Sequence, residues 1–124
     1  MKHFFWVLWL SVIAILSLLP GDKIPQIQFE LFSIDTAVHV IMYAVLAALM
    51  IIGFEKKMNP RQFRLYLTLI LLCSVFGLLI EFVQGNFIYR RFFSWGDALA
   101  NTIGAIIGAI GYYWTSRKLF NLGK

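Results

Sequence analysis

An all-α, integral-membrane four-helix bundle is the fold class this sequence predicts, and three observations predict it. Hydrophobic residues make up 60% of the 124-residue chain and charged residues only 14%. The apolar residues are gathered into four long runs with almost no charge inside them. Those runs are continuously apolar rather than alternating, which excludes the strands of a membrane barrel. A soluble chain of this length has no core large enough to hide so much apolar surface, because small domains keep much of their surface wet. Inside a bilayer each backbone polar group must be paired within its own segment, so helix is the conformation left.

The first run is Phe4 to Leu19, closed by Pro20-Gly21, and the second is Thr36 to Phe54, closed by Glu55-Lys56-Lys57. The third is Leu65 to Val83, and the fourth is Ala98 to Trp114, followed by Arg117 and Lys118. A helix crosses the hydrocarbon in about 20 residues. The middle two runs have that length, and aromatic flanks complete the first and the fourth at the interface. The first run also has the shape of a signal peptide, with Lys2 ahead of it. Ser17-Leu18-Leu19 and the residues beyond lack a small-x-small cleavage pattern, so an uncleaved first span is expected. The four spans form one domain over residues 1–124.

Placing the N-terminus in the cytoplasm puts eight basic residues on that side and three (Lys23, Arg90, Arg91) outside. The positive-inside rule therefore predicts both termini in the cytoplasm. The net charge of +5 then reflects topogenic lysines and arginines beside anionic lipid, and no nucleic-acid partner is expected. Cys73, the single cysteine, sits mid-span and reads as a small apolar packing residue.

The polar residues near the spans gather at the outer face. Asp35, His39 and Tyr43 recur at i, i+4 and i+8 along one face of span two. Glu81 and Gln84 close span three at the same depth, and Asp97 and Asn101 open span four. Capping explains Asp97, and Asp35 or Ser33, but not His39, Glu81 and Asn101 together. An ionisable group in a span costs about 2.5–3.5 kcal/mol at the bilayer centre unless it meets a partner or water. Arg90 and Arg91, on the adjoining outer loop, are the available basic partners. Gly104 and Gly108 form a GxxxG beside Ala100, Ala105, Ala109 and Gly111, which predicts close packing of span four inside the monomer. Aromatic and apolar residues of the two outer segments (Ile24, Ile27, Phe29, Leu31, Phe32; Phe87 to Trp95) suit the headgroup zone and are expected to roof the cluster.

One arrangement of these residues is distinctive. Asp35-x3-His39-x3-Tyr43, Glu81-x2-Gln84 and Arg91-x2-Ser94-x2-Asp97-x3-Asn101-x2-Gly104-x3-Gly108 together resemble the VanZ-like family, small integral membrane proteins named for a bacterial teicoplanin-resistance protein. The resemblance covers about Asp35 to Gly111 and implies a bacterial inner membrane and about four helices. Family members often carry a basic residue after the Asp of span two. Here it is Thr36, so Arg90, Arg91 or His39 is expected to pair with the acids.

Two functions fit. The first is binding or modulation of a lipid or cell-envelope precursor headgroup, with Arg90 and Arg91 meeting phosphate and Asn101, Gln84 and Tyr43 hydrogen-bonding the rest. The second is a membrane-embedded hydrolase or transferase on a lipid-linked substrate. In that reading His39 is the general base, Glu81 the acid or base, and Asp35 or Asp97 orients His39. No cofactor is expected. A carboxylate–histidine metal site is a variant, since His39, Glu81 and Asp97 can converge, but no metal is expected, because the cluster holds one histidine, with no HxxxH spacing and no cysteine pair. A transporter is not expected either, since no polar path continues inward past Tyr43 and Asn101.

Overall fold

The computed structural model describes residues 1–23, 34–55 and 62–123. Four helices carry the chain: α1 (Lys2–Ser17), α2 (Ile34–Phe54), α3 (Phe63–Phe87) and α4 (Trp95–Leu122), with a 3-10 turn at Gly21–Lys23. Among the described residues there is no strand. Ser33, the outer residues Ile24, Ile27, Phe29, Leu31 and Phe32, and the basic residues Lys56, Lys57, Arg61 and Lys124 lie outside the described residues.

α3 and α4 outrun their apolar stretches where polar residues supply local support, whereas α1 ends short of Leu19. α1 stops at Ser17, three residues before Pro20, whose ring cannot continue a helix. α3 continues through Gln84-Gly85-Asn86 to Phe87. α4 begins at Trp95 rather than Ala98 because Ser94 is its N-cap, and the Ser94 hydroxyl accepts from the Asp97 backbone N–H at 3.2 Å. The cap is therefore Ser94, not Asp97. Asp97 stands in the first turn, where its carboxylate complements the positive end of the helix dipole.

By length and composition, α2 and α3 are long and apolar enough to cross a bilayer among the described residues. α1, with 16 residues, is a shorter apolar helix. α4 has 28 residues, but its glycines and polar first turn dilute its apolar character.

α2 is the hub, with its longest contact along α4. A Cβ placed on Gly104 would lie 2.3 Å from the Val40 carbonyl oxygen, and one on Gly108 2.0 Å from that of Ala44. Backbone meets backbone along this seam, as the GxxxG predicts, and the contact is within one chain. The two helices run parallel: Thr36 and His39 meet Asp97 and Asn101 near their starts, while Glu55, just past α2, meets Tyr112. α1 and α3 run the opposite way. Gly53 sits under the Trp6 indole, Gln84 reaches Ser17, and Tyr66 packs on Tyr113. The start of α1 and the later part of α4 thus lie at one end of the bundle, and Ser17, Thr36, Glu81 and Ser94 at the other.

Between the ends lies a core that includes Ile13, Tyr43, Leu46, Ile51, Leu69 and Cys73, filled in by Ala47, Ala105 and Ala109. The outward faces are apolar as well: Phe4, Leu8, Ile41, Leu71, Leu79, Phe82, Ile103 and Ile107 are all exposed.

Candidate functional site

At the Ser17–Thr36–Ser94 end, three helices deliver polar side chains to one place. His39 is one turn into α2, and its side chain is 11% exposed. Its Nδ1 lies 3.0 Å from Asn101 Oδ1 and 3.7 Å from Glu81 Oε1. Glu81 and Asn101 are both 0% exposed. The second Glu81 oxygen, Oε2, accepts from the Ser94 backbone N–H at 3.2 Å. Thr36 donates its hydroxyl to Asp97 Oδ1 at 3.2 Å. One ligand-type atom from each of His39, Glu81 and Asp97 falls within 4.8 Å of the others.

Glycines make this convergence possible. A Cβ on Gly77 would lie 2.7 Å from Asn101 Nδ2, so the missing side chain in mid-α3 is the space Asn101 occupies. A Cβ on Gly85 would meet Phe93 at 2.8 Å, which lets the α3–α4 connection fold down over the end of α3. Above the cluster, Gly21 N–H donates to the Tyr89 carbonyl at 2.9 Å, and a Cβ at Gly21 would strike the Arg90 carbonyl. The turn after α1 and the α3–α4 connection therefore meet backbone to backbone at Gly21.

Arg90 takes the left-handed conformation, φ 57°, unusual for a residue with a side chain. That reversal parts two consecutive arginines. Arg90 is exposed and lies over the Tyr89 ring at 5.3 Å. Arg91 turns inward, its Nη1 3.9 Å from Asp35 Oδ2 and its Nε buried with no hydrogen-bond partner. Of the cations expected to serve the acids, then, Arg91 takes Asp35, His39 faces Glu81, and Arg90 is turned away. Thr36, beside Asp35, supplies a neutral donor to Asp97.

The remaining expected residues divide. Ser94 caps α4 and offers its backbone N–H to Glu81. Gln84 is buried, but its amide donates to the Ser17 carbonyl at 2.7 Å, so it ties α3 to α1 instead of pointing a free group at a ligand. Tyr43 is 2% exposed, its ring 6.3 Å from Phe76 and its hydroxyl without a partner. His39 is hydrogen-bonded to Asn101 and faces Glu81. Of the second outer segment, Phe87, Tyr89, Phe92 and Trp95 are exposed, and Phe93 turns in against Gly85.

Four participants escaped the sequence reading: Ser17, Thr36 as a donor, Gly77 and Gly85. Gly77 carried a usable signal, since an isolated glycine within a helical run marks a close approach. A further polar pair, Tyr112 donating to Glu55, lies at the opposite end of the bundle, where the sequence reading placed little of this kind.

Fold and site together define an all-α bundle with bilayer-length apolar helices and a buried carboxylate–imidazole–amide cluster at one end. A family model described as VanZ/LLP1 matches residues 3–118, and the chain belongs to the VanZ/LLP1 family. No curated protein matches the chain, and no solved structure does.

Proposed function

We propose that this VanZ-like protein is a multi-pass protein of the bacterial inner membrane whose outer-end cluster binds the headgroup of a lipid or a lipid-linked envelope precursor. The observation that carries the reading is, among the described residues, a set of four buried polar atoms toward this end without a hydrogen-bond partner, Glu81 Oε1, Asn101 Nδ2, Tyr43 OH and Arg91 Nε, against one, Glu55 Oε1, at the other end. A buried polar group without a partner costs about 1–3 kcal/mol. Three of the four belong to the cluster or its rim, and Tyr43 lies one turn below His39. A headgroup carrying phosphate and hydroxyls supplies acceptors for Arg91 Nε and Asn101 Nδ2 and a donor for Glu81 Oε1. The apolar outer faces of the helices suit acyl chains, and Arg91 lies at the rim where a headgroup enters from the side.

The test is lipid retention. Native mass spectrometry of the chain extracted in mild detergent should show a co-purified headgroup lipid, reduced at least fivefold in Arg91→Ala and in Asn101→Ala. Unchanged lipid content in both variants overturns the reading.

A second reading has one specific observation behind it. His39 Nδ1 is held at 3.0 Å by Asn101 Oδ1. When that nitrogen carries the proton, Nε2 is the basic one, which is how a histidine is set up as a general base in a hydrolase or transferase.

A further inference from the structure

We infer that His39, Glu81 and Asp97, with the Asn101 amide oxygen, form a binding site for one divalent transition-metal ion. Ligand atoms of His39, Glu81 and Asp97 lie within 4.8 Å of one another, one from each of three helices. Around a metal with bonds of about 2.1 Å, adjacent ligand atoms sit about 3.0–3.4 Å apart and opposed ones about 4.2 Å. His39 Nδ1 to Asn101 Oδ1, at 3.0 Å, already has the adjacent spacing. His39 Nδ1 to Glu81 Oε1, at 3.7 Å, falls between the two.

The second observation is independent of proximity. Glu81 is 0% exposed, and its Oε1, the oxygen facing His39, has no hydrogen-bond partner. At 3.7 Å the imidazole is too far to donate to it. A fully buried carboxylate oxygen left bare is costly, and a cation directly relieves that cost. Two carboxylates also balance a dication. Glu81 is held in place through its other oxygen by Ser94 N–H, and Asp97 by the Thr36 hydroxyl, so both ligands are oriented from outside the site.

The donor set selects the ion. An imidazole beside carboxylate and amide oxygens suits Zn²⁺ or Mn²⁺, whereas Mg²⁺ and Ca²⁺ prefer oxygen alone. The single histidine of the cluster argued against a metal, but two carboxylates and an amide oxygen from neighbouring helices complete the donor set. The inference concerns the same cluster as the proposed headgroup site, and rests on that reading only for its location.

Metal alone provides the test. The full chain, purified in detergent and stripped with a chelator, is titrated with Zn²⁺ and, separately, with Mn²⁺. One equivalent should bind, and Zn²⁺ should raise the unfolding temperature of the wild-type chain. Affinity should fall tenfold or more in the near-isosteric variants Glu81→Gln and Asp97→Asn and stay unchanged in Glu55→Gln, whose carboxylate lies at the opposite end. Absence of stoichiometric binding, absence of a thermal shift in the wild type, or equal affinity in Glu81→Gln and Asp97→Asn overturns the site. Lipid content read on the same samples separates the outcomes: metal binding with lipid retention insensitive to Arg91→Ala and Asn101→Ala sustains this site and removes the headgroup reading.

Discussion

Glu81 concentrates the chemistry of the cluster in one side chain. One oxygen is satisfied by Ser94 N–H, the other is bare, and the residue is fully buried. Glu81→Gln keeps the volume and leaves a carbonyl to accept from Ser94, so its cost in stability should stay within about 1 kcal/mol. Glu81→Ala strands the Ser94 N–H and opens a hole, and should cost about 2–4 kcal/mol by thermal unfolding in detergent. The pair separates the two functional readings. In a general acid–base enzyme, Glu81→Gln should lower hydrolysis of a phospholipid or a polyprenyl diphosphate in proteoliposomes by about 10²–10⁴-fold while lipid retention persists. In a pure binder neither lipid is hydrolysed by the wild type, and Glu81→Gln changes retention only modestly. At this scale the sequence was informative about which residues gather and silent about how they pair. Spacing alone put His39, Glu81, Asp97 and Asn101 at one depth. It could not tell that Gln84 spends its amide on Ser17, or that Arg90 turns outward, because both depend on contacts between segments distant in the chain.

Glycine position decides how the elements fit. A new Cβ at Gly104 or Gly108 meets α2 backbone, at 2.3 Å and 2.0 Å, and backbone cannot yield as a side chain can. At Gly111, on the same helix, a Cβ meets nothing within 4 Å. Gly104→Ala and Gly108→Ala should therefore destabilise by about 1–3 kcal/mol or more through overpacking. Gly111→Ala should instead be neutral or stabilise by up to about 1 kcal/mol, since alanine is the better helix former. Unfolding of the three variants in the same detergent checks this, and equal effects would remove the seam as the cause. The GxxxG pattern made the tight face legible from Gly104 and Gly108. Gly111 looked equivalent in sequence, yet it falls off the four-residue step of Gly104 and Gly108 and is exposed. The helix boundaries erred for a related reason. Apolar runs mark what is buried in lipid or core, whereas helices end where capping ends them, as Ser94 does for α4.

The molecule as a whole has two chemically different ends, and their placement across a membrane can be argued from the packing. α2 and α3 are long and apolar enough to cross. α4 lies against α2 along Gly104 and Gly108, and α1 reaches from Phe54, where Trp6 packs, to Gln84, which Ser17 meets. α1 and α4 therefore pack alongside α2 and α3 between the two ends of the bundle. Arg117 and Lys118 sit in the last turns of α4 and Lys2 at the start of α1, at one end, while Arg90 and Arg91 are at the cluster end. Positive-inside bias then predicts that the cluster faces outward. Single cysteines introduced at Phe92, which is 84% exposed, and at Asn121, in a Cys73→Ala background, read this directly. An impermeant maleimide applied to intact cells should label the cysteine at 92 and spare the one at 121, and permeabilisation should expose both. Cys73 is 1% exposed, so even its native thiol contributes little background. The reverse pattern would put the cluster on the cytoplasmic side, leaving its geometry and its metal-binding test intact while replacing an envelope precursor with an inner-leaflet lipid as the ligand to seek.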